Sequence, residues 1–420
     1  MNILAAGQLI SIEDLEVNPL KFGGVLARAK AEHGFALCLC TAPNPQLVIR
    51  RARMGEGGDR FFLATWPNRG AAHGRSCRFH HSEDEYEEAR AKRLAAIEER
   101  EDGFSIKADF SLLRKTAAPD EREPARVHPD RNGVARPQRD TLGLLGMLEY
   151  LWRSAGLHKW SPGSLRNWTE VTTRLDSVRA QGNIGAQPMD GLLYLVPPFV
   201  PARKDDIAAG FAAMVARYAP TPIATPSFLV LGEIRNVEDH GKTVLTHLAH
   251  HGRALFMFAS LARALATRYP AAEAQLGRVE EVGPDPQRIA RVVGLFLVEV
   301  TDKGNLWVRD AALLLCSRAY LPADSSHEAR LANRLVNERR TFEKPIRPEP
   351  GDDVLPDFVL HDTGVLTVME VWGMNTPEYQ QRKAQKRALY STRGEALWEW
   401  EAWRDPNVPC LPAAVARIID

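Results

Sequence analysis

The chain has 420 residues, 45% of them hydrophobic and 25% charged, and a formal net charge of +1. These are the proportions of a globular protein, and the length points to two or three domains rather than one core. A charge this close to zero excludes a generally basic nucleic-acid binder, but it leaves room for a local basic channel.

The first residues, MNILAAGQLISIEDLEV, carry no basic n-region and meet acids early, so they do not read as a signal peptide. No stretch approaches the roughly 18 consecutive apolar residues that a membrane helix requires. Five cysteines in a chain of this length do not make a disulfide framework, and the odd count points to reduced thiols and a cytoplasmic location.

Residues 1–115 open with an amphipathic helix candidate and HGFALCLC. Strands are expected at 47–51 (LVIRR) and 61–66 (FFLATW), separated by the turn-forming MGEGGD. SEDEYEEARAKRLAAIEEREDG is rich in helix formers with acids leading, and predicts a solvated helix. Residues 116–140 are rich in Pro, Asp and Arg and poor in apolar residues, which reads as a linker.

Residues 141–320 read as a middle α/β domain of unassigned role. Helices are expected over LGLLGMLEYLWRSAGL, SPGSLRNWTEVTTRL and HGRALFMFASLARALATRYP, and strands over LLYLVPPFV, SFLVLGEIR and VVGLFLVEV. His247, His250 and His251 read as incidental histidines of a solvated helix, because no carboxylate or cysteine lies at matching helical spacing. Neither a Walker A loop nor a dinucleotide fingerprint is present.

Cys38, Cys40, His73 and Cys77 give a C-x-C pair and an H-x-x-x-C pair separated by two short strands. Four N/S ligands on two loops are what a tetrahedral structural Zn²⁺ needs, with His80 as the substitute ligand. Cys316 and Cys410 lie in apolar surroundings and read as packed thiols. The tryptophans of ALWEWEAWRDP (Trp398, Trp400, Trp403) offer stacking surfaces for bases, but such residues more often pack a terminal strand.

Residues 321–420 carry the richest chemistry. In LPDFVLHDTGVLTVMEVWG, a two-residue turn at Thr363 and Gly364 pairs Asp357 with Glu370 across a hairpin, about 5 Å apart, while a three-residue loop with a bulge at Gly364 offsets them by one residue and still leaves them close. Like charges so placed call for compensation, and Mg²⁺ or Mn²⁺ bound between them is the natural partner. NTPEYQQRKAQKRALY then starts a helix with Thr376 as N-cap and Pro377 in the first position. Tyr379, Lys383, Lys386 and Tyr390 share one of its faces. Upstream, SSHEARLANRLVNERR predicts a helix carrying Glu328, capped by Ser325 or Ser326.

A helix with Glu, then PD on one strand, Glu on the next and a helix with Lys resembles the PD-(D/E)XK nuclease superfamily. The matching residues are Glu328, Pro356–Asp357, Glu370 and Lys383 or Lys386. The resemblance implies a restriction-endonuclease-like α/β core at 321–420. In it Asp357 and Glu370 bind Mg²⁺ or Mn²⁺, Glu328 assists, and Lys383 (or Lys386) stabilises charge at a phosphodiester. One departure matters. The superfamily usually has Glu-x-Lys, whereas here Trp372 stands where the lysine belongs, so the following helix must supply it. Arg339, Arg340, Lys344, Arg382 and Arg387 are expected to line a phosphate channel.

The whole chain also resembles an uncharacterised bacterial family found on plasmids and integrative mobile elements, through HGFALCLCTAPNP, SSHEARLANRLV and LPDFVL…EVWG. The sequence therefore predicts an α+β multidomain protein, with an N-terminal zinc-binding β-hairpin module plus helix, a middle α/β domain and a nuclease-like core. The expected partners are DNA and other mobile-element proteins, with no membrane. The alternative is a non-catalytic DNA-binding or scaffold protein with a degenerate nuclease domain. A third, purely structural account pairs Glu370 with Lys383, and ranks last because burying acids without a metal is costly.

Overall fold

The computed structural model describes residues 2–53, 59–65, 69–74, 77–80, 96–100, 103–115, 141–276, 280–282, 285–287, 289–346 and 355–415. The expected linker at 116–140 and most of the helix expected after His81 lie outside these residues. The chain forms two compact units, each assembled from separate segments. One comprises Met1–Ala91, Pro348–Val354 and Thr367–Leu411, and the other Lys92–Arg347, Leu355–Leu366 and Pro412–Asp420.

The first unit holds a five-stranded antiparallel sheet, in the order Gln8–Ser11, Asn2–Ala5, Phe35–Cys38, Gln46–Arg53 and Asp59–Thr65. Ile3, Ile10, Ala36, Leu47 and Ile49 face one core, and the helix Gly23–Glu32 covers it with Leu26 and Ala29. A second piece of this unit runs strand, helix, strand: Thr367–Val371, Pro377–Arg393 and Ala396–Trp400. The two strands are parallel, so a crossover helix is required between them. The helix begins as its sequence predicts, with Thr376 accepting from the Tyr379 N–H, and it ends at Gly394 in the left-handed conformation.

The second unit is organised by one 16-residue strand, Ala224–Asp239, long enough to serve several neighbours, two of them in the barrel. Its first half pairs antiparallel with Ala290–Val300, and its second half with Thr243–Leu248 after a register shift between Ile234 and Asn236. Thr243–Leu248 pairs with Leu255–Phe258, which runs parallel to Leu306–Ser317. That strand returns to Ala290–Val300, closing a ring. With the helix Ala259–Arg268 between the third and fourth strands, this is the connectivity of the five-stranded Greek-key barrel known as the OB-fold.

The continuous apolar runs in SFLVLGEIR and VVGLFLVEV follow from burial on both faces. Phe228, Val230, Phe296 and Val298 fill the barrel. Leu229, Leu231, Val293 and Leu295 pack outside it with the helices Leu144–Ser154 and Trp168–Arg179. In the same unit Phe342–Glu343 pairs with both Lys159–Trp160 and Phe358–Leu360, and the helix Ser326–Asn337 precedes it.

Several expectations are corrected. HGRALFMFASLARALATRYP is a strand, Leu255–Phe258, followed by a helix, because alternating Leu255, Phe256 and Met257 obey a period of two before the helical spacing begins. His247 lies on the strand Thr243–Leu248 rather than on a helix. Ile97–Arg100 is a strand paired with Gly103–Ile106. Strand Phe358–Leu360 ends, and Thr367–Val371 begins, on either side of residues 361–366, so no two-residue turn forms at Thr363 and Gly364. Asp362 explains why, since its carboxylate is bound by Arg340 at 2.8 and 3.0 Å and by the Thr341 N–H at 2.7 Å. Cys316 is buried as expected, but Cys410 is exposed.

Gly232 and Gly294 are register partners where the long strand bends. A Cβ on Gly294 would lie 2.3 Å from the ring of Phe296, a side chain of the barrel core. Gly294→Ala is expected to destabilise the second unit by about 1–3 kcal/mol through overpacking, read as a lower urea midpoint. An unchanged midpoint would show that the ring can move aside freely.

Candidate functional site

The sulfur and imidazole cluster forms first from local structure. Cys38 ends the strand Phe35–Cys38, and Cys40 lies in the turn after it. His73 follows the short helical turn Gly70–Ala72, and the Gly74 carbonyl accepts from the Cys77 N–H at 2.7 Å. The cluster's four ligand atoms lie within 4.8 Å of one another. Among the described residues, this is the group of three or more His, Cys, Asp or Glu side chains whose geometry could hold a metal such as zinc.

The edge lengths allow a sharper comparison. Tetrahedral Zn²⁺ with bonds of about 2.3 Å to sulfur and about 2.0–2.1 Å to nitrogen separates two sulfurs by about 3.8 Å, and sulfur from nitrogen by about 3.5 Å. Cys38 Sγ and Cys77 Sγ are 3.7 Å apart, and His73 Nδ1 is 3.4 Å from Cys40 Sγ and 3.6 Å from Cys77 Sγ. The residues fit the ion.

Burial and the neighbouring Cys40 and Cys77 thiols push the Cys38 thiol upward, and burial also raises Cys77. Burial opposes ionisation of Cys40 too, but the Gly74 N–H and the adjoining thiols outweigh it and hold its pKa below the usual thiol range. Backbone N–H groups of Gly74 and Phe79 already point at two of the sulfurs, at 3.4 and 3.5 Å. His80 Nδ1 is 2.8 Å from the His73 carbonyl, which places it as a support of the loop.

The acids of the C-terminal region each meet a lysine. Glu328 is the third residue of the helix Ser326–Asn337 and forms a capping box. Ser325 accepts from its N–H at 3.2 Å and donates to its carboxylate at 3.1 Å, while the Asp324 N–H donates to Oε2 at 3.0 Å. Lys344, only 2% exposed, lies 2.8 Å from both Glu328 and Asp324 and 4.0 Å from Asp357. Burial works against the charge on Lys344, yet Glu328, Asp324 and Asp357 outweigh it and keep the ammonium protonated. Burial pushes the Glu328 carboxyl up, and Lys344 opposes that.

Glu370, on the strand Thr367–Val371, is 1% exposed. Lys386 reaches both of its oxygens, at 2.7 and 2.8 Å, and the Tyr390 hydroxyl donates to Oε1 at 2.5 Å. Lys383, the first choice by sequence, pairs with Glu401 instead. Trp372 is buried beneath both ammoniums, 5.3 Å from Lys383 and 6.0 Å from Lys386, and donates to Glu399 at 2.8 Å. The expected Mg²⁺ finds no support in this geometry.

The five residues expected at phosphates divide. Arg340 is buried on Asp362, Lys344 is buried among carboxylates, and Arg387 forks onto Glu399 at 2.8 and 3.0 Å. Arg339 and Arg382 are exposed. Trp400 is buried with its indole on the Asp405 carbonyl, and Trp398 donates to the Cys410 carbonyl, so both pack. Sequence reasoning missed Lys344 as the partner of Glu328. The signal was available, as a lysine two residues after the apolar Phe342, the spacing that keeps side chains on one face of an extended segment.

Lys344→Met strips Glu328 of its buried counter-charge and is expected to cost about 3–5 kcal/mol. Adding Glu328→Gln should recover part of that loss in chemical denaturation. A single-variant loss below about 1 kcal/mol, the range of exposed pairs, would show that the cluster is well hydrated.

A search of curated proteins finds no match. Among solved structures, the chain is similar to an OBody bound to hen egg-white lysozyme, at 17% identity over 24% of this chain and 91% of that chain, with a TM-score of 0.15. No helix among the described residues is long and apolar enough to cross a membrane. The family model described as "Protein of unknown function (DUF1173)" matches residues 10–402, nearly the whole length, and the chain therefore belongs to the DUF1173 family.

Proposed function

We propose that the protein is a DNA-binding protein with a zinc-stabilised N-terminal module, acting in mobile-element or plasmid DNA processing, whose nuclease-like carboxylates are held by lysines instead of Mg²⁺. The observation that carries this reading is Lys344, buried with its ammonium 2.8 Å from Glu328 and Asp324. A divalent ion entering there would have to displace a charge that three carboxylates already stabilise. The DNA part rests on the resemblance of the 321–420 region and on the exposed guanidiniums of Arg339 and Arg382.

One observation favours a second reading, a metal-dependent DNA nuclease hydrolysing phosphodiesters. Lys386, on the helix after the Glu370 strand, makes a two-point contact with that carboxylate. That is how a lysine transferred to the following helix would stand in for the one replaced by Trp372.

Incubating plasmid and single-stranded DNA with Mg²⁺ or Mn²⁺ separates the two. The expected result is DNA binding without cleavage, with at least a tenfold weaker affinity for Arg339→Glu/Arg382→Glu at fixed salt. Metal-dependent nicking that disappears in Glu370→Ala would establish the nuclease instead, and no binding to any DNA would reject both readings.

In the metal centre, Cys38, Cys40, Cys77 and Nδ1 of His73 would hold Zn²⁺, which supplies a cross-link between the end of one strand and the loop after Gly70–Ala72. Purified protein is expected to carry about one zinc per chain, and Cys77→Ser less than about a tenth of that, by elemental analysis. Equal zinc in both proteins would refute the assignment.

A further inference from the structure

The barrel of the second unit has one face that no helix among the described residues of that unit covers. Helices Leu144–Ser154 and Trp168–Arg179 pack on the outer surface of the long strand, the fourth strand and the far half of the fifth. Across the second, third and fifth strands the outward residues fall in register. Leu245 pairs with Phe256, Phe256 with Trp307, and Thr243 with Phe258. Their neighbours Val244, Leu255, Met257, Leu306 and Val308 point inward and are buried, so alternation alone fixes this row on the outside.

The rings are disposed as a platform. Phe256 and Trp307 are nearly parallel, at 6° with centroids 6.5 Å apart, and Phe258 stands edge-on to Trp307 at 4.7 Å. Phe258 is 59% exposed, unusual for a phenylalanine on a central strand. Two turns border the row. The turn at 240–242 carries exposed Lys242, and the turn at 301–305 carries exposed Lys303. Exposed Arg253 is anchored on the Gly304 carbonyl, which ties the third-strand approach to that second turn. Of the nearby acids, Glu238 is engaged by His247 at 3.2 Å and His240 at 3.7 Å, and Asp239 accepts from the Gly241 N–H at 2.7 Å; Asp302 is exposed.

We propose that this face, Leu245, Phe256, Phe258 and Trp307 with Lys242, Arg253 and Lys303 at its margin, binds single-stranded nucleic acid. Two parallel aromatic rings and the exposed ring of Phe258 beside them offer stacking surfaces to unpaired bases, which a duplex keeps occupied within its own stack. The three cations stand where a sugar–phosphate backbone leaving those bases would pass. Stacking needs no particular base, so the site is non-sequence-specific. The inference is independent of the carboxylate region and of Arg339 and Arg382, and it specifies the form of nucleic acid and the surface that takes it.

The test is fluorescence anisotropy of the full-length protein with a labelled 20-nucleotide oligo-dT and, separately, with a duplex of equal length at fixed salt. Wild type is expected to bind oligo-dT, with Phe258→Ala/Trp307→Ala at least tenfold weaker and Lys303→Glu about threefold weaker. Binding of oligo-dT should also quench tryptophan fluorescence in wild type, and this quenching should fall in Trp307→Ala. Phe258→Ala alone removes an exposed ring without touching the core, so its loss of affinity cannot be ascribed to unfolding. Unchanged oligo-dT affinity in the aromatic variants would overturn the inference while leaving DNA binding through Arg339 and Arg382 intact. A wild type that binds duplex but not oligo-dT would overturn it too. So would a dimer that Phe258→Ala dissociates, because the face would then be covered by a second copy.

Discussion

A carboxylate taken out of water must find a cation, and the C-terminal half of this chain is arranged around that constraint. Glu328 and Glu370 are both almost fully buried, and each would be costly if left uncompensated. The chain supplies Lys344 to one and Lys386 to the other. The two solutions differ in kind. Lys344 comes from just after a strand and sits among three acids, so its charge serves Asp324 and Asp357 as well as Glu328. Lys386 comes from a helix whose register also brings Tyr390 to the same carboxylate, so Glu370 is satisfied by an ammonium and a hydroxyl together. Capping geometry reinforces the first case, because the Glu328 carboxylate completes the first turn of its helix. An acid that caps a helix and binds a lysine has two structural tasks before any catalytic one.

The second unit obeys a different constraint, that of a closed sheet. A strand that must pair with one neighbour over its first half and another over its second must bend between them. The register shift after Ile234 and the facing glycines at 232 and 294 supply the bend and the close approach. Closure also decides which surfaces are available. Helices cover one side of the barrel and the Ala259–Arg268 helix packs with its core, so the second and third strands keep their outer faces. The aromatic row lies on those faces.

The sequence was most legible where local physics and tertiary context agreed. Thr376–Pro377 marked a helix start, Ser325 marked another, and the long Val- and Leu-rich runs were strands with both faces buried. The four N/S ligands were visible as two short pairs, and the structure brings their ligand atoms together. Legibility failed where a pattern changed period in the middle of a segment. Leu255–Phe258 was absorbed into the helix that follows it, and with it went the third barrel strand and the outward direction of Phe256 and Phe258. The turn after Leu360 failed for another reason. Asp362 has turn chemistry in any local reading, but a distant arginine, Arg340, holds its carboxylate instead. Partner choice among lysines was also beyond a one-dimensional reading, since Lys383 and Lys386 share a helix face and only three-dimensional placement sends one to Glu401 and the other to Glu370.

The small N-terminal sheet sharpens the case for a metal at its edge. Its core is narrow, drawn from one or two side chains on each of five strands, a ten-residue helix and the segments that join them. A sheet of that size gains stability from any cross-link that joins segments distant in sequence. The Cys38 turn and the His73–Cys77 loop are such segments, one at the end of the third strand and the other after the fifth. Three thiols in mutual contact gain little from each other in the neutral form, and burial resists the ionisation of Cys38 and Cys77. A divalent ion reverses that balance, because it binds thiolates and draws the same three sulfurs and one imidazole to the separations they already hold. The positive charge that lysines provide for the buried carboxylates is what a bound ion would provide at this end of the chain.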